Sequence, residues 1–452
     1  LIAAYVLVSV SHGLFSPFLP SPAGALALNA KSCAPNRCGR RCERPAGSAR
    51  VSGAARGVET RFDVLVLGAS YLGAELVYLL RRRAPGLRVA VIDRQRAHGY
   101  IPLVHERLVG RLGWGASVLR TADFVAREGA TFVEGEVVSL DPRAKRVVLA
   151  DGRALSARFV VVALGSVTTP PASLPGRVHF LGHKLAGETD AARARLDAVL
   201  GTPGVEVPRA VVVGGGISGI ELAGELAHLA QRRPAGWRAP AVTLVHAGER
   251  LVPHFAPRVS ALVEQRLRAQ GVVVRHGARV VGAEEGAVCV RDADGRDERL
   301  PSELAFWCGG VRPPAVLGAL GLPRTPDGWL AVRPTLACGA FGPDVLAGGD
   351  CARVVDERGH TWPTMQRAIE AMWAADTIAA QITRLAKERA DYPRAIPALR
   401  RHPLRPDFFH GLSLGRDSLV VHGARIVDLG PLNVLFRRFL MWGYLRRYGQ
   451  WR

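Results

Sequence analysis

Two short glycine-rich stretches carry the most specific chemical signal in this sequence. The first, Gly68-Ala69-Ser70-Tyr71-Leu72-Gly73, follows the apolar run Phe62–Leu67. Glycines in a strand-to-helix turn let backbone N–H groups approach a pyrophosphate at a helix N-terminus, where unpaired donors and the helix dipole both favour negative charge. Ser70 stands where the pattern has its second glycine, which weakens this motif. Asp93 follows the next apolar run, twenty residues past Gly73, and is placed to accept hydrogen bonds from ribose hydroxyls. The second stretch, Gly214-Gly215-Gly216-Ile217-Ser218-Gly219, has all three glycines, Gly214, Gly216 and Gly219. Its following strand ends at His246 rather than at an acid. Loss of the acid removes repulsion toward a 2′-phosphate, and Arg250 is near enough in sequence to meet one. The other reading is that His246 packs beside adenine and NADH is held by backbone contacts. One such motif is weak; two imply two dinucleotides. A flavin and a nicotinamide are the natural pair, because hydride passes between them without an amino-acid redox group.

The elements needed to position these loops are legible. Phe62–Leu67, a helical pattern over Tyr71–Arg83 and the run Leu87–Ile92 make one β-α-β unit. Ala210–Val213, a helix to about Ala230 and Val242–Val245 make a second. Thr131–Leu140, Lys145–Ala150 and Phe159–Ala163 read as strands, with Asp151-Gly152 as a turn. Arg258–Gln270 reads as a helix ended by Gly271, and Val272–Arg275 as a strand. A long helix is expected over Trp362–Arg384, an irregular segment over Tyr392–Pro406, and two strands in Leu412–Val427.

Composition narrows the class. At 452 residues, 48% hydrophobic and 22% charged, the chain can bury full cores and spans several domains. Seven cysteines exclude a disulfide scaffold, and the absence of any Cys-x-x-Cys argues against a dithiol or paired-cysteine zinc site. The helix after the first glycine motif has no cysteine, so electrons must leave a flavin directly for an outside acceptor; no metal is expected. The net charge of +21 is concentrated at the ends: residues 1–61 hold eight bases against two acids, and 394–452 eleven against three. Such ends attract anionic surfaces or acidic partners. Only four of the sixty basic residues are lysines: Lys31, Lys145, Lys184 and Lys387.

With these blocks in place, the chain resembles the type II, non-proton-pumping NADH:quinone oxidoreductases, within the two-dinucleotide-binding-domain flavoproteins. The resemblance runs from about residue 61 to 450. It rests on both glycine motifs, Tyr100-Ile-Pro-Leu-Val-His-Glu, Val162-Ala-Leu-Gly165-Ser, Phe306-Trp-Cys-Gly-Gly310-Val-Arg, Val345-Leu-Ala-Gly-Gly349-Asp350, Pro363-Thr-Met-Gln366 and His410-Gly-Leu-Ser-Leu-Gly. It implies an α/β fold with two Rossmann-like domains, for FAD and for NADH or NADPH, and a C-terminal membrane-associating module. The implied flavin domain is 61–204 plus 329–392, the NAD(P)H domain 205–328 and the membrane module 393–452. Implied cofactor contacts are Gly68, Ser70, Gly73, Asp93, Val137, Gly165, Gly349 and Asp350 for FAD, and Gly214, Gly216, Gly219, His246 and Gly310 for the nicotinamide nucleotide. Asp350 would meet the ribityl chain. Gln366 would sit at the quinone end of the flavin, on a segment Thr361–Gln366 that opens the long helix. Glu221 would act near the flavin–nicotinamide contact, relaying a proton or positioning.

The implied partner is a membrane quinone. Phe436–Tyr448 brackets an apolar run with Arg437-Arg438 and Arg446-Arg447, too short to span a bilayer but suited to its surface, with arginines reaching lipid phosphates. A basic helix docked on the flavin domain or on a partner subunit is the competing reading. The expected location is the cytoplasmic face of a bacterial inner membrane, or a plastid or mitochondrion if residues 1–60 are a transit segment. Those sixty residues otherwise read as a disordered leader, a membrane anchor or an extension outside the working protein. A homodimer stays open. An electron-transfer protein is the alternative acceptor, and a nucleic-acid-binding flavoprotein resembling apoptosis-inducing factor is disfavoured because no nucleic-acid motif is present.

Overall fold

The computed structural model describes residues 60–452 apart from 204–206, 363, 365, 388–398, 406–407, 429 and 450–452. The expectations for residues 1–60, Thr60 apart, and most of those for Tyr392–Pro406, fall outside the described residues.

Strand β1 (Thr60–Leu67), helix α1 (Tyr71–Arg83) and strand β2 (Val89–Asp93) form the first β-α-β unit. Helix α2 (Val104–Leu108) follows, then β3 (Thr131–Glu134), β4 (Val137–Asp141), β5 (Arg146–Leu149) and β6 (Ala154–Val162). The run 131–140 is two strands, not one, because Gly135 and Glu136 turn the chain between them: Gly135 N–H donates to Asp93 O, and Glu136 O accepts from Ala150. Helix α3 (Ala186–Gly201) leads to the second unit, β7 (Arg209–Val213), α4 (Ile217–His228) and β8 (Ala241–Val245). Helix α5 (Pro257–Arg268), β9 (Val273–Arg275), the antiparallel trio β10 (Arg279–Glu284), β11 (Ala287–Arg291) and β12 (Asp297–Pro301), and β13 (Leu304–Trp307) complete this part.

Two parallel cores result. The first sheet runs β3-β2-β1-β6-β5-β4, and β14 (Val345–Ala347) pairs with β6. The chain therefore leaves this sheet after β6 and returns to it at β14. Between those points it builds the second sheet, β9-β8-β7-β13. Central strands in both read as runs of Val, Leu and Ile, buried on both faces. Helix α6 (Ala368–Lys387) packs on α1, burying Ala371, Ala374, Ala375 and Ile378.

The long helix starts at Ala368, six residues later than expected. Thr361–Trp362 is instead a short strand. The residue before a proline is pushed out of the helical region, and Gln366 has a positive φ of 49°, so helix cannot form across 362–366. Leu412–Val427 also differs. Three strands form there, β15 (His410–Leu414), β16 (Asp417–His422) and β17 (Arg425–Asp428), because Gly415 and Gly423 both take positive φ and turn the chain twice. Helix α7 (Pro431–Arg447) closes the described chain.

Candidate active site

The carboxyl ends of parallel strands are where α/β sheets bind ligands. At the end of β1, a Cβ on Gly68 would stand 2.3 Å from Ala163 O, and one on Gly73 2.0 Å from Gly68 O. At the end of β7, a Cβ on Gly214 would stand 2.3 Å from Cys308 O, and one on Gly219 1.8 Å from Gly214 O. Both loops are thus pressed against the neighbouring strand by glycines that nothing larger replaces. Gly216 is the N-cap of α4, with open space where a side chain would go. Ser70 holds the equivalent place before α1, and its hydroxyl makes no capping bond. The first turns of both helices keep free N–H groups, as an anionic pyrophosphate needs.

Each loop is braced by the end of its next strand. Asp93 Oδ2 accepts Ala69 N–H at 2.7 Å and Oδ1 accepts Gln95 N–H at 2.8 Å. Burial pushes the Asp93 carboxyl up, and those donors hold it down only in part. His246 Nδ1 accepts Gly215 N–H at 3.2 Å. Arg250 does not reach toward a ligand: its guanidinium donates to Phe255 O, Ser260 Oγ and Pro253 O. Loop 250–260 folds back over this arginine, which sequence reading places near enough to meet a 2′-phosphate. Val137 is buried at the start of β4, two residues from the Gly135–Asp93 bond.

The ends of β6 and β14 meet beside the first loop. Gly165 takes φ +68° with open space at its missing Cβ, and Gly349 takes φ +69°. A Cβ on Gly348 would stand 2.9 Å from Leu72 and 3.1 Å from Ala374, so the loop before Asp350 is clamped between α1 and α6. Asp350 Oδ2 accepts Ser166 Oγ–H at 2.7 Å and lies 3.3 Å from Lys184 Nζ, which also donates to Ser166 O at 3.1 Å. Gln366 Nε2 donates to Asp350 O at 3.2 Å. Asp350 and Gln366 therefore share one place with Gly165, which lies more than 180 positions earlier in the chain. Lys184 was missed from sequence, although a lysine in a chain that uses arginine almost everywhere is itself a signal. Pro363 and Met365 of the same block lie outside the described residues. Gly310, at the end of β13, has φ +106° and open space beside it.

Glu221 lies elsewhere in character. It is buried on α4; Oε1 accepts Ser413 N–H at 3.0 Å and Arg437 Nη2–H at 3.0 Å, while Oε2 faces His105 Nδ1 at 3.5 Å. Glu225, one turn on, pairs with Arg111 at 2.7 Å. Burial pushes both carboxyls up to about 7, outweighing the guanidinium groups that pull them down. Burial holds the His105 ring neutral. Arg438 pairs with Glu106 at 2.8 Å, and Arg447 with Glu75 at 2.7 Å. Sequence reading missed these partners, because each joins the C-terminal helix to a residue more than 200 positions away. Three of the four arginines expected to reach lipid phosphates are thus spent inside the protein.

The four described cysteines are free. Burial alone drives the Cys308 thiol up to about 12, and Cys351, likewise raised by burial, up to about 11, so neither is a nucleophile. Both glycine cradles, with open space over Gly165, Gly216 and Gly310, fit extended phosphate-bearing cofactors. The residues that would hold FAD are those of the first loop with Asp93 and Asp350, and those for NAD(P)H the second loop with His246. The bound pair supplies hydride transfer and onward electron delivery.

Known proteins share the family pattern and the fold. The pyridine nucleotide-disulphide oxidoreductase family pattern matches residues 62–375. The type II NADH:quinone oxidoreductase of Haemophilus influenzae is 24% identical over 357 residues, covering 69% of this chain and 78% of that protein. The 5,5'-dehydrodivanillate O-demethylase ferredoxin reductase subunit of a Sphingobium species is 31% identical over 300 residues, covering 64% and 68%. The structure of NDH2 from Plasmodium falciparum in complex with NADH superposes with a TM-score of 0.72 at 12% identity, over 86% of this chain and 96% of that one, which shows a shared fold. Two braced glycine loops, buried unreactive thiols and a family match across both sheets converge: this chain belongs to the pyridine nucleotide-disulphide oxidoreductase family and is a flavin-dependent NAD(P)H oxidoreductase.

Proposed function

We propose that the protein passes electrons from NAD(P)H through FAD to a membrane quinone, working at a membrane surface such as the cytoplasmic face of a bacterial inner membrane. In this reading 61–204 and 329–392 hold FAD, 205–328 holds the nicotinamide nucleotide and 393–452 meets lipid. One observation carries the choice of acceptor. Helix α7 leaves Leu432, Leu435, Phe439 and Trp442 exposed, at 62, 61, 47 and 40%. Their spacing puts them on one helical face, and Arg446 lies over the Trp442 ring at its end. A stripe of large apolar groups ending in aromatic and arginine suits the headgroup boundary, and a water-insoluble substrate requires such contact. No helix among the described residues is long and apolar enough to cross a membrane.

Within this reading Asp350 and Gln366 orient the flavin edge, Lys184 holds the Asp350 carboxylate in place, and Glu221 is a positioning residue that ties α4 to the C-terminal module. The second reading, reduction of a small electron-transfer protein, is favoured by the ferredoxin reductase subunit among the relatives. Anaerobic visible spectra of the purified protein separate the two. Under the quinone reading a flavin bleached by NADH or NADPH recovers its colour on adding a short-chain quinone. Recovery with a ferredoxin and not with quinone rejects the quinone; a folded protein without flavin rejects both.

A further inference from the structure

The two glycine loops end strands of different sheets, yet a short path of rigid pieces joins them. Tyr71, the first residue of α1, follows the first loop directly, and its phenol oxygen accepts Ile101 N–H at 2.9 Å. Helix α2 begins three residues later, and beyond it Arg111 N–H donates to Glu106 O at 2.8 Å, which holds that residue against the helix. The Arg111 side chain then leaves this unit. Its Nη1 lies 2.8 and 2.7 Å from the two carboxylate oxygens of Glu225 and donates to Gly415 O at 3.1 Å. Glu225 is fully buried on α4, the helix that opens at the second loop. Gly415 lies in the turn between β15 and β16, and α4 touches that turn backbone to backbone: a Cβ on Gly224 would stand 2.7 Å from the carbonyl carbon of Leu414. One guanidinium thus joins the unit that carries the first loop, the helix that carries the second, and the C-terminal sheet. Arg437 makes a parallel link one turn earlier on α4, donating to Glu221 and to Pro102 O.

We propose that Arg111 is a positioning residue for hydride transfer: by tying α4 to the segment after α2 it sets the second glycine loop at the distance and angle from the first that the two cofactors need. A charge-assisted contact to a buried carboxylate fixes separation and direction more closely than an exposed pair does. Binding of each cofactor depends on contacts within its own loop, whereas hydride transfer depends on how the two loops face each other. A misplacement of about 1 Å can cost a reaction on the order of 100-fold. The Arg437 link survives loss of Arg111, so α4 is expected to tilt rather than come free. The proposal rests on the reading of the first loop as the flavin site and the second as the nicotinamide nucleotide site.

Two measurements on the flavin-loaded full chain test it: calorimetric binding of ADP-ribose, and anaerobic stopped-flow bleaching by saturating NADH or NADPH. Arg111→Met is expected to keep its flavin and to bind ADP-ribose within about threefold of wild type, yet to bleach at least tenfold more slowly. The long-wavelength absorbance of a stacked nicotinamide–flavin pair is expected to weaken with it. Arg111→Lys keeps a cation for Glu225, and Glu225→Gln keeps an oxygen for Arg111, so each is expected to bleach only about threefold more slowly. If Arg111→Met does not hold flavin, these two decide, and wild-type rates in both overturn the proposal. An Arg111→Met protein that bleaches at the wild-type rate overturns it too. So does a loss of ADP-ribose binding as large as the loss of rate, which would make Arg111 a structural residue only. Wild-type protein that holds flavin and is bleached by neither nucleotide rejects the assignment of the loops, and the proposal with it.

Discussion

Arg437 of the last helix donates from Nη2 to Glu221 Oε1 at 3.0 Å, tying the C-terminal helix to the first turns after the second glycine loop. Both side chains are buried, and the same guanidinium donates to Pro102 O. Breaking a buried pair by removing one partner leaves the other desolvated and uncompensated, typically at about 3–5 kcal/mol. Arg437→Leu is therefore expected to lower the thermal midpoint of the flavin-loaded protein by several degrees. Glu221→Gln, whose amide oxygen still accepts from Ser413 and Arg437, is expected to cost less. Equal losses in scanning calorimetry would reject the pair as the reason the helix docks.

The same cluster sets a pH dependence. Burial raises the folded-state pKa of Glu221 and Glu225 to about 7, from an ordinary 4.5. Between those values the folded chain binds more protons than the unfolded one, so these groups make stability fall as pH rises from about 4.5 to about 7 and level off above that. Denaturant unfolding at pH 5, 6, 7 and 8 reads this slope. In the Glu221→Gln/Glu225→Gln double variant the decline across pH 5–7 is expected to flatten; an unaltered slope assigns it to other groups.

Much of the frame was legible because it depends on local pattern. The glycine spacing and the run 71–83 announced the first loop and helix α1 at the bounds the structure has. What escaped depends on side chains meeting across the chain. Nothing near Arg250 in sequence says that Pro253 and Phe255 turn their carbonyls onto it. The helical period of 362–384 was overridden at Gln366 by a left-handed backbone that holds its amide on Asp350 O. Arginines on α7 read as reaching lipid phosphates, but Glu75, Glu106 and Glu221, from other elements, are brought beneath three of them.

The glycine cradles predict separable losses. Gly214→Ala puts a methyl 2.3 Å from the Cys308 carbonyl, a backbone atom that has no flexible end to move. The variant is expected to remain yellow, with at least tenfold weaker nicotinamide binding and slow bleaching. Gly68→Ala makes the same clash against Ala163 in the first loop and is expected to lose flavin itself. Flavin content by absorbance after desalting distinguishes them; loss of flavin from Gly214→Ala would contradict the assignment of the loops.

Asp350 is expected to outweigh its neighbours in holding the flavin. Asp350→Ala removes the acceptor shared by Ser166 and Lys184 and leaves that ammonium beside an apolar side chain. Flavin occupancy is expected to fall at least tenfold. Lys184→Met leaves the carboxylate bonded to Ser166, so a smaller loss is expected, read as a weaker FAD dissociation constant. Full occupancy in Asp350→Ala would remove Asp350 from the site.

The exposed face of α7 gives the prediction that decides where the protein works. Leu435, Phe439 and Trp442 touch solvent and take no part in the ion pairs that dock the helix, and Phe439 stacks on Trp442 at 5.9 Å between ring centres. Replacing exposed apolar groups with acids leaves the buried side of the helix intact, so Leu435→Asp/Trp442→Asp is expected to fold, bind flavin and be bleached by NADH at the wild-type rate. The same change removes apolar area from the lipid boundary and adds charge that anionic headgroups repel. Cosedimentation with vesicles of phosphatidylcholine and phosphatidylglycerol is expected to drop at least tenfold. Turnover with a long-chain quinone in those vesicles is expected to drop with it, while turnover with a soluble short-chain quinone persists. Wild-type protein that fails to sediment with such vesicles at low salt, or a variant that sediments unchanged, would show that this stripe meets something other than lipid.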